Sequence, residues 1–355
     1  VGGNALKNCK TRRYNADEYR KLVGEVLTKL IYALNCCSEV TDVPAYYSKD
    51  SFGDMDLLLE SDYLPSDWQE KVITAFQPKE CFKNGNCFSF EYKEFQIDLI
   101  ITPSSEYQTS LNYFAYNDLG NLIGRIAHMM GMKLGHDGLA YHWRIGETQH
   151  FRTIVVETDW AKILPVLGLS YERYQQGFDR LEDIFEFVVS SEFFNKDIYL
   201  LHNRNHTSRV RDRKRKTYTE FLKWIENHQH TNAQNFWIEW RKGQDKRAWL
   251  PYLFRKIPHF ETLYNEVQAE WEFEMEYRKR FNGDLVREWL KLDGKELGEF
   301  MRYLREQGGS HFKTDIVKMN PVLVEGYVGY FYDKYCGRLP IMEVNPLELT
   351  AHRVK

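Results

Sequence analysis

The sequence lacks the features that settle a function at once. No glycine-rich phosphate loop, dinucleotide-binding fingerprint or Ser/Cys nucleophile motif occurs in its 355 residues. Six cysteines are present, none in a CxxC pair, which weakens a structural zinc reading. Cys81 and Cys87 flank FKNGN and are expected to face each other across a hairpin, and reduced cytosolic thiols are the simpler state. No apolar run approaches a membrane span and no signal peptide is visible. A soluble, cytoplasmic protein is therefore expected, of a host cell or of a virus that infects it. The chain opens at Val1, so an initiator residue or short leader is expected to precede it. Net charge is only −3, so overall charge excludes few partners and identifies none; local clusters must carry that argument. Fixed-period repeats and low-complexity linkers are absent as well.

What is present begins with apolar content. At 43% hydrophobic, the chain can fill about two cores. Aromatics are abundant, with 23 Tyr, 22 Phe and 9 Trp, and most are expected inside. Asn15 and Glu18 stand at capping-box spacing. Tyr19, Leu22, Val23, Val26, Leu27, Leu30, Ile31 and Leu34 then recur at helical period. MDLLLES reads as a buried strand, and Ser66 to Phe76 as a short helix with Trp68, Val72, Ile73 and Phe76 inward. Asn84-Gly85 marks a hairpin turn, and Glu94 to Thr102 reads as a further strand stopped by Pro103. A helix over roughly 118–132 and a β stretch from Gly135 to Glu157 follow. After Asp159 the pattern is nearly all helical. The expected class is α+β. A small mixed or antiparallel sheet domain occupies 1–155, and a mostly helical substrate-binding region occupies 156–355.

The stretch SKDSFGDMDLLLE carries the chemistry. Asp54 and Asp56 head a strand that continues as Leu57, Leu58 and Leu59. Alternation puts both carboxylates on one face with Met55 on the other. In FQIDLI, Gln96 and Asp98 share a face opposite Ile97 and Leu99. If these strands are neighbours, three carboxylates converge, and buried carboxylates need a compensating cation. Convergent hard oxygens suit two Mg²⁺ or Mn²⁺ ions. Such a pair, about 3.5–4 Å apart, stabilises the attacking and leaving oxygens of phosphoryl transfer.

FGDMDLLL and FQIDLI resemble the catalytic palm of the DNA polymerase beta-like nucleotidyltransferase superfamily, the first motif being closest to the polymerase X branch. The resemblance implies that Asp54 and Asp56 bind both metal ions. It implies that Asp98 binds the catalytic ion and helps activate a primer 3′-hydroxyl. It continues into YFAYNDLGNLIGRIAH. There it implies Tyr113 and Phe114 beside the sugar, Asp118 by the base, Asn121 at the base edge and Arg125 toward template or primer. The Gly-Ser turn usual before the acidic pair is missing, which leaves Ser48 and Lys49 as candidates for phosphate contacts. The small Gly expected after the aromatic pair is replaced by Ala115 and Tyr116. The acidic motif begins close to Val1, so the lyase and helix-hairpin-helix modules of repair polymerases are not expected ahead of it.

Arg204 to Lys216 places Arg209, Arg211, Arg213, Lys214, Arg215 and Lys216, with Arg204, against Asp212 alone. Such a run suits sequence-independent contact with nucleic-acid phosphates. WRKGQDKRAW and LFRKIPHF repeat the mixture of basic and aromatic residues more weakly. FNGDLVREWLKLDGKELGEF is similar to a helical module of bacterial CCA-adding enzymes and poly(A) polymerases. In it Asn282 or Asp284 would cap a helix, Gly294 would break the chain, and Gly298 would allow close approach. His128, His136, His142 and His150 are spaced too widely for one helix face and are not read as ligands. The expected activity is metal-dependent transfer of a nucleotidyl group from a nucleoside triphosphate to the 3′-hydroxyl of RNA or DNA, with release of pyrophosphate. The alternatives are transfer to a protein or small molecule, or a catalytically silent nucleic-acid-binding protein.

Overall fold

The structure, a computed structural model, describes residues 5–35, 38–146, 149–228 and 246–338. It is α+β, with small sheets in its first half and helices after Glu157. In chain order the first elements are β1 (Tyr14–Asn15), α1 (Ala16–Leu34), β2 (Val40–Asp42), β3 (Ser51–Phe52), β4 (Asp54–Glu60) and α2 (Trp68–Phe76). Then come β5 (Cys81–Asn84), β6 (Cys87–Tyr92), β7 (Phe95–Thr102), α3 (Ser104–Phe114) and α4 (Leu119–Met129).

The central sheet has the order β2-β4-β7-β6-β5. Only β4 and β7 pair in parallel; their neighbours run antiparallel, so the sheet is mixed. Its apolar face, Met55, Leu57, Leu59, Phe88, Phe90, Ile97 and Leu99, packs under α1 and α2. The capping box at Asn15 and Glu18 starts α1 as expected, with both reciprocal bonds at 2.9 Å. Its buried stripe is Tyr19, Leu22, Val26, Leu30 and Leu34. Ile31, expected inside, lies off that stripe and is exposed; Ile73 on α2 is likewise exposed beside the inward Val72 and Phe76.

The hairpin β5–β6 closes around Gly85, in the left-handed region at φ 60°, with Asn84 paired to Cys87. Cys81 therefore sits opposite Phe90, and the expected cross-hairpin approach of Cys81 and Cys87 does not occur. Both are free thiols; Cys36 and Cys37 lie outside the described residues. The turn from β6 to β7 uses Lys93 and Glu94, both at positive φ, with the Glu91 carboxylate accepting the Glu94 amide at 2.7 Å.

An antiparallel meander follows, β8 (Met132–Gly135), β9 (Gly138–Ile145) and β10 (Gln149–Glu157). The strand expected after the Gly135–Gly138 turn thus has a partner before it. Next are α5 (Trp160–Val166), α6 (Tyr171–Gln175), α7 (Leu181–Val189), α8 (His206–Arg213), α9 (Lys216–Asn227) and α10 (Leu250–Lys256). The last helices are α11 (Pro258–Arg280), α12 (Gly283–Leu290), α13 (Gly294–Gly308), α14 (Phe312–Lys318) and α15 (Pro321–Tyr335).

The class changes where the sequence places it, at the end of β10. The compact units divide elsewhere, as Val1–Glu261 and Thr262–Lys355. Helices α5 to α10 belong to the first unit and bond to its sheet half. Tyr174 Oη donates to Asn112 Oδ1 at 3.2 Å, and Tyr199 Oη to the Leu122 carbonyl at 3.1 Å.

The second unit is helical around Phe281, Val286, Phe300, Leu304, Ile316, Val324 and Val328. Asn282 caps α12 by accepting the amides of Asp284 and Leu285 at 2.8 and 2.9 Å. Gly294 takes φ 54° at the start of α13. Gly298 has nothing within 4 Å of where a Cβ would stand, so the close approach expected there does not occur among the described residues. No helix among the described residues is long and apolar enough to cross a membrane.

Candidate metal centre and its surroundings

The parallel register sets Asp54 beside Gln96, Asp56 beside Asp98 and Leu58 beside Ile100. Alternation then turns Asp54, Asp56 and Asp98 to the face away from α1 and α2. One carboxylate oxygen from each lies within 4.8 Å of the others. Asp98 is buried, while Asp54 and Asp56 are partly buried. Gln96 Nε2 donates to both oxygens of Asp98, at 3.0 and 2.9 Å, and the Ser89 hydroxyl also bonds it.

Burial raises the Asp98 carboxyl pKa, an effect that Ser89 and Gln96 partly offset. Burial also pushes Asp56 up to about 7, with further push from the charges of Asp54 and Asp98. Three carboxylates this close, sharing a flank with apolar side chains, form a donor set of hard oxygens. That chemistry fits Mg²⁺ or Mn²⁺ and not a soft-ligand metal.

Three groups around the triad carry no sequence signal of their own. Asp42 on β2 is paired to Leu57; its Oδ1 accepts from Tyr19 Oη at 2.8 Å, and burial raises it to about 6. Arg13 donates from Nε to Ser51 Oγ at 2.8 Å and from Nη2 to the Ser51 carbonyl at 2.9 Å. It lies over Gly53, where a Cβ would meet Nη1 at 2.8 Å. The Gln96 amide oxygen accepts the Ala5 amide at 3.0 Å, and Glu80 takes those of Lys7, Asn8 and Cys9 at 2.7–3.0 Å. The chain near the N-terminus is thereby strapped beside Asp98. A short polar strand, an arginine before a capping box and a chain end give no pattern from which these positions could be read.

Lys49 reaches the triad. Its Nζ lies 4.5 Å from the Phe52 ring centroid; burial lowers its pKa, while Asp54 and Asp56 act in the opposite direction. Ser48 is exposed, and its amide and hydroxyl both donate to the Asp179 carbonyl, at 2.8 and 2.6 Å. The loop bearing both residues is thus stapled to the turn before α7. Phe114 packs with Tyr107 and Leu111 against Leu58 and Ile100, the next positions on the acidic face after Asp56 and Asp98.

Asp118, Asn121 and Arg125 face the basic segment. Asp118 is ion-paired with Arg215. Arg125 Nη2 donates to Asn121 Oδ1 at 3.4 Å and lies 3.5 Å from Asp212 Oδ2. Within Arg204–Lys216, Arg204 and Arg211 turn to the buried Asp212 at 3.6 and 3.3 Å, and Lys216 pairs with Glu220 at 3.6 Å. Arg211, Arg213, Lys214 and Lys216 are exposed, and Arg209 is partly buried. Of WRKGQDKRAW, residues up to 245 lie outside the described residues. No family model matches the chain, and no curated protein matches it.

Proposed function

We propose that this chain is a metal-dependent nucleotidyltransferase with a polymerase-beta-like acidic centre. It would move a nucleotidyl group from a nucleoside triphosphate to the 3′-hydroxyl of a nucleic acid, with pyrophosphate leaving. The supporting observation is the convergence of Asp54, Asp56 and Asp98 from two parallel, in-register strands. When bound there, two Mg²⁺ or Mn²⁺ ions would neutralise the carboxylates, polarise the phosphoryl oxygens and lower the pKa of the attacking hydroxyl.

The chain's own residues position and balance charge. Gln96 and Ser89 hold Asp98 by hydrogen bonds that favour its ionised form. Lys49, drawn toward Asp54 and Asp56, is placed to meet a phosphate oxygen that approaches them. The Ser48 hydroxyl hydrogen is committed to Asp179, so Ser48 would fix the loop and offer only its oxygen lone pairs. Phe114 forms the apolar flank of the same face. The exposed Arg211, Arg213, Lys214 and Lys216 supply a basic surface suited to acceptor phosphates.

The test offers a panel of labelled triphosphates with single-stranded and duplex RNA and DNA primers, and with protein acceptors, in Mg²⁺ and in Mn²⁺. Extension of a nucleic-acid primer that disappears in Asp98→Asn is expected. Equal extension by a folded Asp98→Asn protein refutes the site, and labelling of protein alone moves the acceptor class.

A further inference from the structure

Asp212 is fully buried, yet its ion pairs are loose. Arg125 and Arg204, whose side chains are 8% and 9% exposed, approach the same oxygen, Oδ2, at 3.5 and 3.6 Å. Charge-assisted bonds close to about 2.7–2.9 Å, so neither pair is fully made. Among the described residues Oδ2 accepts no hydrogen bond, and Arg125 Nε, Arg204 Nε and Asn121 Nδ2 are buried donors without an acceptor. Arg211 Nε reaches the other oxygen at 3.3 Å. Three guanidinium groups therefore surround one carboxylate, while the neighbouring Arg215 is already neutralised by Asp118. The excess positive field extends outward: Lys246 is pushed down to about 8 by burial, then by Arg144 and Arg204.

Buried donors left unpaired cost free energy, and the Asp212 carboxylate as placed leaves Arg125 Nε and Arg204 Nε unpaired. A phosphate group, with more acceptor oxygens in a tetrahedral arrangement, can reach such donors. We propose that Arg125, Arg204 and Arg211, with Asn121, form a phosphate-binding site in which Asp212 stands where the phosphate group goes. Arg211, half-exposed at 51%, gives the cluster its opening to solvent. The site is distinct from the acidic triad and independent of any metal. It sits near the triad's flank, because Tyr113, whose hydroxyl feels Arg215 and Arg211, directly precedes Phe114 on the acidic face. The phosphate would belong to the acceptor strand or to the tail of a nucleotide.

Calorimetric titration of the full chain in EDTA tests this, with inorganic phosphate, a nucleoside triphosphate and a short single-stranded oligonucleotide as probes. Arg204→Gln is expected to weaken phosphate binding about tenfold or more, the value of one charge-assisted bond. Asp212→Asn, which removes the competing carboxylate, is expected to tighten it by a similar factor, and Asp98→Asn to leave it unchanged. A purely structural cluster predicts instead that the Arg204 and Asp212 variants lose stability together without opposite shifts in phosphate affinity, and that result overturns the proposal. So does absence of phosphate binding by the unsubstituted chain. If either variant fails to fold, Arg211→Gln at the half-exposed member gives the same readout: weaker phosphate binding supports the site, and unchanged binding overturns it. A strand that binds more tightly than the triphosphate, with loss in the arginine variant, assigns the phosphate to the acceptor; the reverse order with the same loss assigns it to the nucleotide. Insensitivity of both to the arginine variant refutes the site.

Discussion

Replacing Asp56 by Asn in metal-free protein is expected to raise the melting temperature of the first unit at pH 8. Carboxylate oxygens within 4.8 Å repel by at least about 3 kcal/mol per pair at an effective dielectric of 20. Asp56 takes part in two of the three pairs. The unsubstituted chain relieves this by holding a proton: Asp56 is pushed up to about 7 against 3.8 for a free side chain. Between those values the folded state binds more protons than the unfolded state, so stability falls as pH rises through the window and levels off above it. Asn removes that loss. Allowing for relaxation and water, the net gain at pH 8 is about 1 to 3 kcal/mol, or roughly 3 to 10 °C. At pH 5, about a third of the way into that window, the difference should shrink to roughly 1 to 4 °C, and below about pH 3.5, where Asp56 is protonated in both states, the two proteins should melt together. Manganese is expected to invert the ranking if it binds the triad as proposed. At 100 times its dissociation constant it stabilises the unsubstituted protein by about 2.7 kcal/mol and the variant far less. Thermal melts at pH 5 and pH 8, in EDTA and in Mn²⁺, read all four corners. A variant that melts below the unsubstituted protein at pH 8 in EDTA, with an equal Mn²⁺ shift in both, would refute the charge-crowding argument.

Three further outcomes are expected. Asp98→Asn should cut nucleotide incorporation about a hundredfold or more while circular dichroism stays intact and the melting temperature does not fall, since it keeps the shape and removes one ligand charge. Gly120→Ala should cost about 1 to 3 kcal/mol in a denaturation midpoint, because its Cβ would stand 2.3 Å from the Tyr113 carbonyl and backbone cannot yield cheaply. Gly298→Ala should stabilise the second unit by roughly 0.5 to 1 kcal/mol, since the position is helical and the space around it open; a loss there would mean that a neighbour does approach it.

The acidic centre was legible because its signal is local. Two aspartates at i and i+2 ahead of three leucines fix which face each side chain takes, and QID in an apolar strand does the same. Alternation says nothing of partner or direction, so the parallel pairing of β4 with β7 could only be assumed as adjacency. The helix α3 was hidden: Tyr107, Leu111 and Phe114 keep helical spacing, but the serines, Gln108 and Asn112 between them dilute the pattern. The Lys93–Glu94 turn was illegible because two long side chains hold a conformation usually given to Gly or Asn. Asp212 was visible only as the lone acid in a basic run. Its place at the centre of that run is tertiary, set by Arg125 arriving from α4.

Those two acidic sites show opposite solutions to one electrostatic problem, and the sheet explains why the first can exist without a cation at all. A one-residue slip of β7 against β4 would turn Ile97 and Leu99 out and bring Asp98 into the core. Met55, Leu57, Leu59, Ile97 and Leu99 are each fully buried in register. At about 1.5 to 3 kcal/mol apiece they hold the strands with roughly 7 to 15 kcal/mol, against a gross repulsion among the three carboxylates of about 10 kcal/mol. The terms are of the same size, so the apolar face can hold the charges together but with little to spare. A bound divalent cation changes the sign of the second term and leaves the first untouched. Metal affinity should therefore track the integrity of the buried face, even though none of its side chains can touch a metal.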